Sequence, residues 1–324
     1  MPLHSKNLQR CFSFVKGHYP VMWENVLEVL EANLSYQNKI LVGDGTLGGG
    51  GHSRAILEVF PNAYVVGTDL DKETLPIAQQ NTSMHQERIS VNHSSYTNLF
   101  NLPRFPEVFP SGKKFDAVLL DLGLSSFQLD SPGRGFSFKT EGKLDMRFNQ
   151  DNNLSITAEK FVNFASELEL AEVFKRYGEE KHARQAAEVI CQYREEQKIT
   201  TTTQLSKVLN YAFFLSKTLN KYDSITRCFQ ALRIKVNNEL ENVSAFMDSV
   251  IDHMEEGGVV AVVSFHSLED NIVKRKMKEL NGEYKADFNC WDPILPSVEE
   301  FKANSRSRSA RMRYMIKKSA LVTT

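Results

Sequence analysis

Cysteine is scarce and scattered: Cys11, Cys191, Cys228 and Cys290 are the only four in 324 residues, and no two form a C-x-x-C pair. That spacing argues against a zinc knuckle and a disulfide framework, and it fits a reducing compartment. Long apolar runs are lacking too. The densest, Val259–Phe265, is far short of a membrane span. Net charge is nearly absent, since 39 Lys+Arg stand against 40 Asp+Glu and leave −1. The field of the whole protein therefore cannot drive nucleic-acid binding, which must come from local patches. No internal repeat or low-complexity tract is present. What remains is an ordinary globular composition, 41% hydrophobic and 24% charged, neither disordered nor fibrous. At roughly 150 residues per domain, the length suggests two domains, or one with an insertion.

Residues 1–23 carry Lys6, Arg10 and Lys16 and no acid. An organelle transit peptide has that composition, and so does a short basic tail on a cytosolic protein. The expected location is cytoplasmic, with a mitochondrial one as the alternative. No apolar signal-peptide core is visible.

The first half alternates strand and helix. Strands are predicted at Lys39–Asp44, Ala63–Asp69, Arg88–His93 and Phe115–Asp121, with helices at Ser53–Phe60 and Thr74–Asn81. Leu102–Gly112 holds three prolines and reads as a connection. This alternation implies an α/β fold with a mostly parallel sheet and helices on both faces. Gln128–Glu141 reads as a long loop. From about Ser155 to Leu219 only helices are predicted, one opened by the capping box Ser166-x-x-Glu169 and ended at Gly178. The α/β pattern resumes at Ser224. Phe229, Leu232, Val236, Leu240, Val243, Phe246 and Val250 step by three and four, a helix of about seven turns stopped by Gly257-Gly258. Val259–Phe265 is a further buried strand, and Ser309–Lys317 could close the sheet.

The chemistry concentrates at strand ends. Asp44-Gly-Thr-Leu-Gly-Gly-Gly-Gly-His52 joins a strand to a helix, where such sheets bind ligands. Gly43–Gly48 matches G-x-G-x-x-G, and Asp69 follows where a ribose-binding acid should sit. A dinucleotide would place a pyrophosphate beside Asp44, which would repel it. A ligand with an ammonium at one end and a ribose at the other suits both acids, and S-adenosylmethionine is such a ligand. Asp121-Leu-Gly-Leu-Ser-Ser126 adds an acid and two hydroxyls at the end of the fourth strand, unless Asp121 only caps a turn. Asp116 reads as structural. In Ser264-Phe-His-Ser-Leu-Glu-Asp270, His266, Glu269 and Asp270 are either acid–base or substrate groups, or the start of a helix capped by Ser267-x-x-Asp270. A metal site is poorly supported, since no second His or Cys has ligand spacing. Aromatics of Arg134–Phe138 could stack on an unpaired base if that loop is exposed. Arg306, Arg308, Arg311 and Arg313 form a basic stripe, read either as phosphate contacts or as a solvated strand face.

Nine segments together resemble the RsmH (MraW) ribosomal RNA methyltransferases. They are His18–Val21, Asp44–Ser53, Asp121–Asp130, Arg134–Phe138, Leu144–Arg147, Tyr177–Glu180, Phe229–Leu240, Ser264–Asp270 and Asn304–Ala310, in order over nearly the whole chain from His18. The resemblance implies a Rossmann-like class I methyltransferase sheet with an inserted all-helical domain. The expected boundaries are a tail at 1–17, a first methyltransferase part at 18–130, a helical substrate-recognition insert at 131–225 and a second methyltransferase part at 226–324. It further implies methylation of the 4-amino group of a cytosine in the decoding region of 16S rRNA, within the small ribosomal subunit, with S-adenosyl-L-methionine as cofactor. Gly50, Gly51, His52, Asp69, Tyr96, Asp121 and Gln128 match the family's cofactor contacts. Asn271 and Ser305 depart from the family pattern, where a basic residue and a proline are usual. The chain lacks the Asp/Asn-Pro-Pro-aromatic tetrapeptide of many amino-methyltransferases. Asp121 or Ser125 is therefore the expected acceptor for the amine, with Asp145 and His266 as second choices. No membrane partner and no metal are expected, and the chain should be a monomer or homodimer. Two other classes stay open: an NAD-dependent oxidoreductase, which Asp44 disfavours, and a non-catalytic RNA-binding or ribosome-assembly factor.

Overall fold

The computed structural model describes residues 20–152, 154–283, 285–288 and 291–319. The expected tail at 1–17, and the localisation reading that rests on it, lie outside these residues, as do His18, Cys11 and Cys290. The chain forms two compact units: residues 124–239, and the segments on either side, up to 123 and from 240. The insert is thus wider than the expected 131–225.

The flanking unit is a seven-stranded sheet. Its elements in chain order are α1 (Trp23–Asn33), β1 (Ile40–Asp44), α2 (Gly51–Val59), β2 (Ala63–Asp69), α3 (Leu75–Asn81), β3 (Ile89–His93) and β4 (Phe115–Asp121). The inserted unit contributes α4 (Ser126–Asp130), α5 (Ala158–Phe164), α6 (Glu167–Gly178), α7 (Ala183–Glu196), α8 (Thr202–Leu215) and α9 (Lys221–Asn237). The sheet then resumes through α10 (Glu239–Ser249), β5 (Met254–Ser264), α11 (Ser267–Gly282), β6 (Ala286–Phe288), α12 (Val298–Ala303) and β7 (Arg311–Lys317). Strand order is β3-β2-β1-β4-β5-β7-β6. The pairs among β1 to β5 are parallel, while β7 runs antiparallel to both β5 and β6. The carboxyl-terminal strand is therefore interior, and β6 closes that edge instead.

Alternation along each strand builds two cores. Ile40, Val42, Val65, Ala117, Leu119, Ala261 and Val263 pack with α1 and α2 on one face. Leu41, Val66, Val118, Leu120, Val260 and Val262 pack with α10 and α11 on the other. Both faces being covered, the strands read as continuous apolar runs, as parallel strands do. A buried ion pair joins α11 to β7. Arg313 is 3% exposed and donates through Nε to Asp270 Oδ1 at 2.6 Å, and through a terminal nitrogen to Oδ2 at 3.0 Å. Arg313 therefore leaves the expected basic stripe, and Asp270 is a structural residue.

Two further sequence readings change. The seven-turn helix is two helices, because Asn238 takes a left-handed conformation (φ 51°) and ends α9. Gly257 and Gly258 lie within β5, beyond the end of α10, rather than stopping a helix.

The inserted unit is held by an aromatic cluster and by Arg134. Phe136 stacks on Phe148, and Phe138 packs against Tyr222 and Phe229. Arg134 is buried and donates to the carbonyls of Arg147 and Phe148. Asn237 donates to the Met146 carbonyl and accepts from the Phe148 N–H, both at 2.8 Å. The Arg134–Phe138 segment is thus an internal brace, not an exposed stacking loop, and α4 replaces the start of the expected loop.

Removing one partner of the α11–β7 pair would leave a buried unpaired charge. Asp270→Ala is expected to cost about 3–5 kcal/mol of stability, read as a lower midpoint in urea unfolding; a loss within 1 kcal/mol would show the pair to be a surface-like contact.

Candidate functional site

The strand order reverses between β1 and β4, and ligands of such sheets bind beyond the carboxyl ends at that point. Here β1, β2 and β4 each end in an aspartate: Asp44, Asp69 and Asp121. Backbone and hydroxyl donors hold the first two. Asp44 accepts from Ser53 Oγ at 2.6 Å and from the Thr46 N–H at 3.3 Å. Asp69 accepts from the N–H groups of Gly48 and Asp71, each at 2.7 Å. Burial outweighs these bonds and pushes both carboxyls up to about 6. Each carboxylate oxygen has a second lone pair, so Asp69 can hold the glycine turn and still accept from a ribose hydroxyl.

The glycine turn needs its glycines. Gly50 caps α2 in the left-handed region at φ 78°. A side chain on Gly51 would begin 2.6 Å from Pro20 Cγ. Tyr96 is beside the same turn, its Cβ 2.8 Å from where a Gly45 side chain would start, and its ring meets Phe246 edge-on. His52 is 6% exposed, and its Nε2 lies 3.0 Å from the Val21 carbonyl. A carbonyl only accepts, so Nε2 carries the proton and Nδ1 presents a lone pair. Burial pushes the imidazole down to about 4, keeping it neutral.

Asp121 is the least satisfied of these groups. Its backbone N–H donates to Thr46 Oγ1 at 2.6 Å, which fixes the strand end. Its Oδ2 lies 3.8 Å from His52 Nδ1, beyond hydrogen-bond reach. Its Oδ1 is buried and has no hydrogen-bond partner among the described residues. Burial, then the charges of Asp44, Glu269 and Glu300, push its carboxyl well above the usual carboxylate range. A buried acceptor without a donor costs free energy and marks where a donor is to arrive.

The structure therefore brings Gly50, Gly51, His52, Asp69, Tyr96 and Asp121 to one edge of the sheet. These residues fit S-adenosylmethionine: acids for its ammonium and ribose ends, a glycine turn that excludes side chains, and an unfilled acceptor. His266 is in the same unit, but its Nδ1 caps α11 by accepting from the Glu269 N–H at 3.4 Å. The helix cap is thus His266, one residue before the expected Ser267. Ser125, Gln128 and Asp145 belong to the inserted unit. Ser125 and Gln128 form the capping box of α4, each side chain accepting from the other's N–H. Asp145 spends both oxygens on the Arg147 guanidinium at 2.8 and 2.9 Å. Burial raises its carboxyl, but Arg147 outweighs this and holds it below its ordinary value. Those bonds brace Asp145 against Arg147 within the inserted unit.

Sequence reasoning missed four supporting groups. Thr46 and Ser53 are ordinary hydroxyls inside the glycine motif. Pro20, although inside the His18–Val21 segment, and Glu300 take roles that depend on distant chain. Glu300 Oε1 accepts from the Met22 N–H at 2.6 Å, steadying the strap whose Val21 orients His52.

The chain matches the MraW methylase family over residues 15–318. It is similar to ribosomal RNA small subunit methyltransferase H of Cyanothece sp., with 41% identity over 91% of this chain and 93% of that protein. The same-named proteins of Thermotoga neapolitana and Rickettsia typhi are 40% and 38% identical, each over 91% of this chain, covering 94% and 97% of theirs. A solved rRNA methylase from Streptococcus thermophilus aligns over 91% of this chain and 96% of its own at 9% identity and a TM-score of 0.40, too slight a likeness to bear on function.

Between about pH 5 and pH 7 Asp44 and Asp69 ionise, while His52 stays neutral. Only the ionised carboxylates attract a cation, so affinity for S-adenosylmethionine is expected to rise across that window; a flat calorimetric profile would refute this. For the ligand-free fold the sign is opposite. Folded-state values above the ordinary 3.8 of a free aspartate mean that stability is lost as pH rises from about 4 through about 6. Gly51→Ala is expected to cost about 1–3 kcal/mol by overpacking against Pro20 and to weaken cofactor binding, checked by thermal melting with and without S-adenosylmethionine.

Proposed function

The chain belongs to the MraW methylase family, and from that premise we propose that it methylates the exocyclic 4-amino group of one cytosine in the decoding region of 16S rRNA. The substrate is the small ribosomal subunit, the cytosine lies at its P site, and the modification tunes initiation and decoding fidelity. The names of the relatives support small-subunit rRNA as the target. The unfilled Oδ1 of Asp121 is the observation that carries the reaction.

When bound, S-adenosylmethionine supplies an electrophilic methyl group on a sulfonium. The chain must supply the rest. The cytosine amine is a poor nucleophile, because its lone pair is delocalised into the ring. An acceptor for its N–H lets nitrogen pyramidalise and turn that lone pair outward. Asp121 Oδ1 is such an acceptor, buried and without a hydrogen-bond donor among the described residues. The bonds from the Asp121 N–H to Thr46 and from the Leu122 N–H to Val263 fix its position. Much of the rate of an in-line displacement comes from such positioning. Asp69 holds the ribose end, and the glycine turn leaves room for the methionine part. The target base must be unstacked or already single-stranded.

Small subunits from cells lacking the protein, incubated with the enzyme and labelled S-adenosylmethionine, should yield 4-amino-methylated cytidine by nucleoside mass spectrometry. A different methylated nucleoside would overturn the proposed target. Asp121→Ala should lower single-turnover rate by roughly a hundredfold or more; a near-normal rate would remove Asp121 from the chemistry.

A further inference from the structure

Helix α8 has an unusual outer face. Its inner face buries Leu205, Val208, Leu209, Ala212 and Phe213. A solvent face is normally polar. Here Tyr211 is 58% exposed and Phe214 63%; the α8–α9 turn adds Leu219, and the start of α9 adds Tyr222, both exposed. Cations are interleaved with these rings. Residues 197–222 contain Lys198, Lys207, Lys217 and Lys221 and no acid, in a chain whose net charge is −1. Lys207 and Lys217 are exposed, and among the described residues neither is in an ion pair. Two of the rings have neighbours that hold them. Tyr222 packs on Phe138 with centroids 5.3 Å apart, and the Lys221 ammonium lies 4.9 Å from the centre of the Phe214 ring.

The same corner opens into a cavity of about 430 Å³. Lys181, Lys217 and Arg227 line it as cations, and Thr218, Asn220 and Ser224 as hydrogen-bonding groups. Two acids also line it, Glu179 and Glu180. Glu180 is neutralised by Arg227, whose Nε donates to it at 3.0 Å. With that pair cancelled, Lys181 and Lys217 stand against Glu179, an excess of positive charge that favours an anion with polar edges.

We propose that the α8–α9 corner is a binding surface for single-stranded RNA, with a phosphate seated at Lys217 and the cavity and with bases stacked on Tyr211, Phe214 and Tyr222. Charge selects this occupant: a phosphodiester strand matches the four lysines of the acid-free stretch 197–222, and every base has a face for an exposed ring. The proposal rests on the reading that rRNA is the substrate, and it assigns the inserted unit a hold on RNA flanking the target.

The test uses the full chain, a fluorescein-labelled single-stranded RNA of about 12 nucleotides, and anisotropy at several salt concentrations. Lys207→Glu with Lys217→Glu should weaken binding at least tenfold and make the log–log salt slope shallower by about 1.4, two phosphates at about 0.7 each. Tyr211→Ala with Phe214→Ala should weaken binding about tenfold at unchanged slope. All four positions are exposed, and unchanged melting and S-adenosylmethionine affinity would show that fold and cofactor site are intact. Methylation of small subunits should show a raised KM with kcat retained. Parent-like affinity and slope in both double variants would overturn the proposal, also if those variants lose a protein partner instead. Failure of the parent chain to methylate small subunits at all would overturn the reading beneath it, and methylation is measured separately from binding for that reason.

Discussion

Three carboxylates ending adjacent strands of one parallel sheet are the constraint around which the sheet unit is arranged. Asp44, Asp69 and Asp121 are buried or nearly so, and like charges so placed repel. The glycine turn answers part of that repulsion by aiming N–H groups at Asp44 and Asp69. Asp121 receives no such donor at Oδ1. The ligand-free protein thus keeps an electrostatic deficit that a cationic cofactor and an N–H-bearing substrate relieve. That deficit lowers the stability of the empty fold and sharpens its choice of ligand.

The positioning of these acids depends on ordinary packing. Alternating residues of each strand feed two apolar cores, and the three aspartates stand at the strand ends beyond them. His52 then depends on a strap from the amino-terminal side, through Val21, and that strap depends on Glu300 near the other end of the chain. Residues remote in sequence set the tautomer of a histidine beside Asp121.

The sheet was legible because its signals are local. Strands β2 and β4 match their predicted limits, Ala63–Asp69 and Phe115–Asp121, since apolar runs bounded by Asp and Pro-rich turns leave little choice. The glycine turn and its acids were legible for the same reason. Periodicity misled where two helices share one phase. The stripe from Phe229 to Val250 is continuous, yet Asn238 divides it, and Phe229 and Phe246 serve different cores. The Arg134–Phe138 motif resembled an exposed loop because composition does not reveal that Phe148 and Phe229 lie against its rings. Arg313 resembled a phosphate contact because its partner Asp270 is on another element. Pairings distant in sequence leave no local pattern, and most differences between the sequence pattern and the structure arise from them.

The insertion also bears on how the chain reaches its fold. Strands β4 and β5 are hydrogen-bonded neighbours, yet residues 122–253 separate them. Joining them as a flexible loop carries a closure entropy that grows only slowly with length, about 0.6 kcal/mol per doubling. The larger penalty is kinetic, because non-local parallel pairing is slow and leaves strand edges exposed meanwhile. Until β5 arrives, β4 presents an apolar edge to any other unfolded chain. An inserted unit that folds first, on local helical contacts, shortens the time this edge stays open. Its helices would then serve the sheet during synthesis, before any substrate is met.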